Sequence, residues 1–386
     1  MATKQRDLTS EGLTILQGSS RRDFLKRLVA GAGACGAGGL DVALASGWNA
    51  AARQSPPTYT NPVYAGSMPD PFVLLHEGTY YAFGTTGSDR TPGGRVFTVL
   101  QSTDLVDWKE RGGALTPPTP DVEYQYWAPE VAYENGMFFL YYALGGKEEE
   151  KFSLRVATSR TPEGPYTDNG TPLVDCERNR FTIDAHPFED VDGKWYMFYA
   201  RNFLDSDGGV LPGTALVVDR LVDMTKLAGE CRTVVRARHP WTLYEAKRRM
   251  NVYDRTFDEW HTIEGAFVRL HDGRYYCFYS GSNYQTASYG VDYVVADYVM
   301  GPYSGQGREA RVLKGVPGKV RGPGHHSIAL GPDGTSEYVV YHAWDAAMQV
   351  RQLCIDPLAW TPDGPRCVGP TTTPQPRPAQ RVPAPA

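Results

Sequence analysis

Five times this chain repeats one short phrase, a Gly turn followed by a run of aromatic and aliphatic residues. Nothing else in it restricts the fold as much. The copies are Glu77-Gly78-Thr79-Tyr80-Tyr81-Ala82-Phe83, Asn135-Gly136-Met137-Phe138-Phe139-Leu140-Tyr141, Asp192-Gly193-Lys194-Trp195-Tyr196-Met197-Phe198-Tyr199, Asp272-Gly273-Arg274-Tyr275-Tyr276-Cys277-Phe278-Tyr279 and Asp333-Gly334-Thr335-Ser336-Glu337-Tyr338-Val339-Val340-Tyr341. Asn-Gly and Asp-Gly ahead of such runs mark hairpins, because a type I′ turn needs positive φ at both central residues. Successive copies lie roughly 55–80 residues apart, in the range of propeller blades with insertions. The pattern predicts an all-β chain folded as a five-bladed β-propeller, the simplest architecture that uses five such units around one axis. In that fold the inner strands of all blades meet at one central pocket, where acids distant in sequence come together.

Composition agrees. With 41% hydrophobic and 12% aromatic residues, the 386-residue chain can build a large core, and 41 Gly with 29 Pro suit many short strands joined by turns. The formal net charge is −5 and becomes more acidic without residues 1–45. An acidic body argues against nucleic acid or an anionic membrane as partner.

The N-terminus reads differently. Ser20-Arg21-Arg22-Asp23-Phe24-Leu25-Lys26 precedes an apolar, Gly/Ala-rich stretch from Leu28 to Leu44 that Gly interrupts too often for a membrane span. This resembles a twin-arginine export signal, with Ala43-Leu44-Ala45 as the cleavage site. The resemblance implies export of the folded protein to the periplasm or the extracellular space, with no membrane span in the mature chain. The expected organisation is a signal at 1–45, a linker at 46–60, a propeller domain at 61–370 and a Pro-rich, extended tail at 371–386. Five cysteines remain after the signal: Cys176, Cys231, Cys277, Cys354 and Cys367. Cys277, inside a strand phrase, reads as a core residue; the others are candidates for disulfides in an oxidising compartment. The longest interval between phrases, about 201–262, includes Trp241 to Met250 as a candidate short helix. It reads as a loop over the pocket.

Three acids stand out by context. Asp70 lies in Met68-Pro69-Asp70-Pro71-Phe72, Asp184 in Thr182-Ile183-Asp184-Ala185-His186-Pro187, and Glu264 in Thr262-Ile263-Glu264-Gly265-Ala266. Each precedes a hairpin phrase, which places it on an inner strand facing the axis. A lone buried acid is costly, and three at one axis make sense if their pKa values are meant to differ. Each also has a structural reading: Asp70 as a turn residue before Pro71, Asp184 as a turn cap or the partner of His186, Glu264 as the partner of Arg269.

Pro69-Asp70-Pro71-Phe72, Trp127-Ala128-Pro129-Glu130-Val131, Ile183-Asp184-Ala185-His186-Pro187-Phe188, Ile263-Glu264-Gly265-Ala266 and Gly322-Pro323-Gly324-His325-His326-Ser327 recur in the order of a known family. The chain resembles glycoside hydrolase family 43, five-bladed propeller enzymes acting on arabinose- and xylose-containing polysaccharides. The resemblance covers about 60–370. It implies that Asp70 is the general base, Glu264 the general acid, and Asp184 the acid that orients Glu264 and raises its pKa. It also implies inversion, with Asp70 and Glu264 about 6.5–9.5 Å apart. Two positions depart from the family pattern: Ala185 and Ala266 stand where relatives often carry Pro.

Trp127, Glu130, His186 and Tyr284 are the candidate substrate-binding residues: Trp127 as the floor of a sugar subsite, because aromatic faces suit sugar C–H faces, or as propeller core; Glu130 as a substrate contact or a brace of the pocket; Tyr284, in the loop after the fourth phrase, at the rim. Tyr289 reads as a rim residue beside Tyr284. His325 is the candidate for contact with a calcium or sodium ion in the axial channel, with His326 as the alternative; no cofactor is expected to be required. The implied activity is an α-L-arabinofuranosidase or arabinanase acting on an oligo- or polysaccharide. The alternatives are a β-D-xylosidase of the same family, a retaining fructan enzyme, and a non-catalytic sugar-binding propeller. The middle and acid motifs of this chain, Ile183-Asp184-Ala185 and Glu264-Gly265, differ from the Arg-Asp-Pro and Glu-Cys of the fructan enzymes.

Overall fold

All five predicted hairpins form. Each turn glycine takes the left-handed region, with φ between +74° and +78° at Gly78, Gly136, Gly193, Gly273 and Gly334. Glu77, Asn135 and Asp272 share the positive φ, as the two-residue turn demands. The other two turns are wider: the Asp190 N–H donates to Lys194 O, and the Gly331 N–H to Ser336 O. Only the Gly needs positive φ there.

The computed structural model describes residues 57–119, 123–146, 151–177 and 179–381. The expected export signal at 1–45 lies outside the described residues. Among them, no helix is long and apolar enough to cross a membrane.

The hairpins grow into five larger sheets, antiparallel but for one pairing in the third, all-β and propeller-like in arrangement. The first runs Phe72–His76, Thr79–Gly84, Val96–Ser102, Lys109–Leu115. The second runs Tyr124–Glu134, Met137–Gly146, Lys151–Ser159, Thr167–Asp168. The fourth runs Ile263–His271, Arg274–Gly281, Gly290–Ala296, Leu313–Lys314, and the fifth Arg321–Leu330, Glu337–Trp344, Arg351–Thr361, Gly364–Cys367. The third begins the same way with Thr182–Glu189, Trp195–Phe203 and Gly213–Asp223, then departs.

Strand Gly213–Asp223 also pairs with Arg232–Val235, and through one parallel pairing, Gly213 with His261, it takes on the hairpin Leu243–Met250/Arg255–His261. The 201–262 interval is therefore sheet rather than loop. The helix expected at Trp241–Met250 is a single 3-10 turn, Pro240–Thr242, running into a strand. Gly213 permits the junction, since a Cβ there would stand 2.0 Å from the His261 carbonyl oxygen.

Side chains from neighbouring sheets fill the space between them. Tyr141, Leu216, Val217, Val268 and Tyr279 share one buried cluster, and Phe83, Tyr142, Phe278, Val339 and Tyr341 another. Because the sheets pack on both faces, second strands read as runs rather than strict alternations; Leu140 to Ala143 are all buried. Truncating one such aromatic to Ala would cost about 3–5 kcal/mol.

The segments expected as linker and tail belong in part to this structure. Thr58–Tyr59 pairs with Gln375–Pro376, Thr371 donates through Oγ1 to Asp356, and Arg377 binds Asp104 and Asp107. All five cysteines of the described residues are free thiols, so no disulfide forms among them.

Candidate active site

Near the start of each first strand stands a residue in the left-handed region: Asp70 (φ +53°), Ala128 (+47°), Asp184 (+59°), Gly265 (+58°) and His325 (+42°). In the last four strands a register shift marks the spot. Such bulges re-aim side chains, and a non-Gly residue held there stores about 1–3 kcal/mol of strain.

At four of the five, the strained N–H is captured by a side chain of another sheet. Ala128 donates to Thr85 Oγ1, Gly265 to Asp184 Oδ2, His325 to Ser280 Oγ and Asp70 to His342 Nδ1, at 2.8–3.1 Å. The last bond links the first sheet to the fifth. These bonds hold the strained backbone and point Asp70, Trp127, Asp184, Glu264 and His325 into one cavity of about 760 Å³.

Asp70 sits between one cation, Arg351, and two imidazoles. Its Oδ1 lies 2.7 Å from Arg351 Nη1, 3.4 Å from His325 Nδ1 and 3.5 Å from His342 Nδ1. Burial raises its pKa, but Arg351, the two imidazoles and the Thr85 hydroxyl outweigh burial and hold it well below the usual carboxylate range. His342 Nδ1 accepts the Asp70 N–H, which fixes the neutral imidazole as the Nε2–H tautomer.

Glu264 has the opposite environment. Burial is the largest influence and the charge of Asp70 adds to it, while a hydrogen bond from Tyr289 and the field of Arg351 pull back; the result is a pKa pushed up to about 7. Asp184 is raised too, by burial first and then by Glu264 and Asp70, against the Gly265 N–H that it accepts. Asp184 and Glu264 therefore titrate as a pair.

Trp127 lies half-buried on the cavity wall, its ring stacked on Phe152 at 4.0 Å. Tyr284 is also on the wall, stacked on Trp344, with the Arg351 guanidinium 4.9 Å from its ring centroid. The structure does not bring Glu130 and His186 to the wall. His186 Nε2 accepts the Val268 N–H, so its Nδ1 carries the proton and donates to Glu130 Oε2 at 2.7 Å. This buried chain ties the second, third and fourth sheets together behind the cavity, a bracing position rather than a substrate contact.

His325 faces Asp70 and Asp184 through Nδ1. His326 is buried with neither ring nitrogen hydrogen-bonded, and burial pushes its pKa down to about 3. Among the described residues no group of three or more His, Cys, Asp or Glu side chains comes together as a metal site. No step below runs through a metal.

Sequence reasoning missed Arg351 and His342 and placed Tyr289 on the rim. Tyr289 is buried (1% exposed) and donates to Glu264 Oε1 at 2.7 Å, its ring parallel to His342. His342 had a signal, as a polar residue inside the fifth apolar phrase. Arg351 lies 281 positions from the carboxylate it binds and has no local motif. The inserted hairpin adds Tyr244, Arg248, Met250 and Trp260 to the wall.

A cavity in which one carboxylate's pKa is held low and another's is pushed up, beside an aromatic wall, suits acid–base work on a carbohydrate. The sequence profile of glycosyl hydrolases family 43 matches residues 59–365. The chain belongs to that family.

Among its relatives, a β-D-galactofuranosidase of Aspergillus niger is 28% identical over 320 residues, covering 79% of this chain and 83% of its own. An extracellular exo-α-(1→5)-L-arabinofuranosidase of Streptomyces chartreusis is 26% identical, covering 88% of this chain and 94% of its own. The crystal structure of a thermostable family-43 glycoside hydrolase superposes with a TM-score of 0.70 at 30% identity, over 84% of this chain and all of its own.

Proposed function

We propose that this chain is an exported, inverting glycosidase that cleaves α-L-arabinofuranosyl linkages in arabinan or arabinoxylan. Its catalytic body is a five-bladed propeller, with the seven-stranded third sheet as the enlarged blade. The Asp70–His342 bond between first and fifth sheets supports a closed ring. Asp70 takes a proton from water, whose oxygen attacks the anomeric carbon. The glycosidic C–O bond breaks as Glu264 passes its proton to the leaving oxygen. Asp184 accepts the Gly265 amide and so fixes the backbone beside Glu264.

The observation that carries this reading is the opposite loading of Asp70 and Glu264. One is held low by Arg351 and two imidazoles; the other is pushed up to about 7. An ionised base and a protonated acid therefore coexist near neutral pH. The twin-arginine motif supports export, and an extracellular relative is consistent with it.

A second sugar is favoured by the Aspergillus niger relative. β-D-Galactofuranose shares the ring configuration of α-L-arabinofuranose and adds one exocyclic carbon, so a small change at the wall decides between them. The test is hydrolysis of 4-nitrophenyl α-L-arabinofuranoside, β-D-galactofuranoside and β-D-xyloside, with linear arabinan, by wild type and Glu264→Ala. Arabinose release that the variant abolishes supports the proposal. Galactose or xylose release instead keeps the mechanism and replaces the sugar. Activity retained in Glu264→Ala refutes the assignment of the acid.

A further inference from the structure

The first two hairpin turns lie at the far ends of their strands from the catalytic cavity. At about 3.3 Å per residue, Asp70 to Glu77 and Trp127 to Gly136 span about 20–30 Å. Between those turns is a second cleft, of about 320 Å³, lined by His76, Glu77, Tyr81, Tyr133, Phe138 and Arg160 among others.

Its base is a three-ring cluster. The His76 ring sits 4.7 Å from Tyr133 and 4.9 Å from Phe138, and Tyr133 and Phe138 are 4.7 Å apart. Phe138 is buried, which anchors the cluster, whereas Tyr133 keeps 42% of its surface in water. An exposed aromatic fixed by two neighbours is a platform that loses little freedom when something stacks on it. Around it stand planar hydrogen-bonding groups of both signs. Glu77 is exposed, and Arg160 is exposed with no ion-pair partner among the described residues.

This chemistry selects its ligand. Mixed charge in an acidic protein does not suit nucleic acid or phosphate. One exposed ring is far short of the roughly 800 Å² per partner that a stable protein interface buries. A neutral ring with one C–H face for stacking and a rim of hydroxyls for a carboxylate and a guanidinium fits both features.

We propose that this cleft is a second saccharide-binding site, stacking a sugar of the polymeric substrate on Tyr133 with Glu77 and Arg160 binding its hydroxyls. It rests on the reading of the chain as a polysaccharide-active enzyme. It takes no part in bond cleavage. It holds the enzyme on the polymer and raises the effective concentration of chain at the cavity.

The test is retardation of the Glu264→Ala protein in native gels containing linear arabinan, arabinoxylan or a galactofuranan. It is paired with kinetics of wild type, Tyr133→Ala and Arg160→Ala on a 4-nitrophenyl glycoside and on polymer. Binding is read without turnover, so a wrong sugar assignment shifts which gel retards the protein and leaves the proposal testable. The expected result is retention by one polymer that weakens about three- to tenfold with Tyr133→Ala in the Glu264→Ala background. Polymer hydrolysis should fall with it while kcat/KM on the small substrate is unchanged. Arg160 is exposed, so its variant gives the same reading without risk to folding. Retention unaltered by either substitution, no retention by any polymer, or a dimer that Tyr133→Ala dissociates would each overturn the proposal.

Discussion

The Tyr289 hydroxyl donates a 2.7 Å hydrogen bond to Oε1 of Glu264; Tyr289 is buried and Glu264 half-buried. A carboxyl has one proton to give. With Oε1 already accepting, the proton of Glu264 belongs on Oε2, the oxygen left free to meet a glycosidic bond. The bond favours the ionised form of Glu264 and so works against burial, which favours the protonated one. In the proposed mechanism Tyr289 thus sets both the direction and the pH limit of proton delivery.

Tyr289→Phe should therefore move the alkaline limb of the kcat/KM profile to higher pH. The sign follows from the bond: removing a donor to the carboxylate raises the pKa, and the acid keeps its proton further into the alkaline range. Wild type should lose activity above about pH 7, where Glu264 gives up its proton. A pH profile of both proteins checks this, and a loss of rate with an unmoved limb would count against it.

Arg351→Met should act on the other limb. Arg351 is the largest influence lowering the pKa of Asp70. Without it Asp70 rises towards and beyond the ordinary value of about 4, so the base is protonated at higher pH and the acidic limb moves up. Stability should fall as well, since removing one partner of a buried ion pair typically costs about 3–5 kcal/mol; this pair keeps 17% and 11% of its side-chain surfaces exposed, which places it in the lower part of that range. Thermal unfolding and the acidic limb report the two effects separately.

Gly265→Ala should damage catalysis more than folding. Gly265 sits at φ +58°, and an added Cβ would lie 3.2 Å from the His325 ring. The Gly265 N–H is also the donor that holds Asp184. A shift of a few tenths of an ångström moves Glu264, Asp184 and His325 together. We expect kcat to fall by about tenfold or more, with a stability loss of about 1–2 kcal/mol from backbone strain. Single-turnover kinetics and calorimetry measure the two.

Gly213→Ala should separate the inserted hairpin from the third sheet, because its Cβ would meet the His261 carbonyl at 2.0 Å. That hairpin carries Tyr244, Met250 and Trp260 to the cavity wall. KM for oligosaccharides should rise more than KM for a 4-nitrophenyl glycoside, which reaches less of the wall. Equal changes for both substrates would mean that the hairpin only supports the fold.

How much of this the sequence carried depended on the range of the signal. The five Gly turns were legible because turn chemistry is local: Gly78, Gly136 and Gly273 need positive φ wherever the chain goes next. Asp70, Asp184 and Glu264 were legible because they hold the same place ahead of successive hairpins, and the structure brings all three to one cavity. What was lost was long-range. Arg351 reaches Asp70 only through closure of the fold, and Tyr289 looked like a loop tyrosine until the cavity buried it. The stretch from Trp241 to Met250 has polar residues throughout, so its periodicity could not distinguish a short helix from the exposed hairpin it forms. Glu130 and His186 sit in motifs shared with the family, but their pairing with each other, rather than with substrate, depends on the Val268 amide two sheets away from Glu130.

The central claim is that Glu264 supplies a proton and Asp70 activates water. The most direct measurement compares Glu264→Gln and Asp70→Asn on two versions of the furanoside that wild type hydrolyses, one with a 2,4-dinitrophenyl leaving group and one with a sugar leaving group. The dinitrophenolate departs without a proton. The account predicts that Glu264→Gln loses about 10²–10⁴ in kcat on the sugar leaving group and stays within about tenfold of wild type on the dinitrophenyl glycoside, while Asp70→Asn loses activity on both. Equal losses by Glu264→Gln on the two substrates would contradict it.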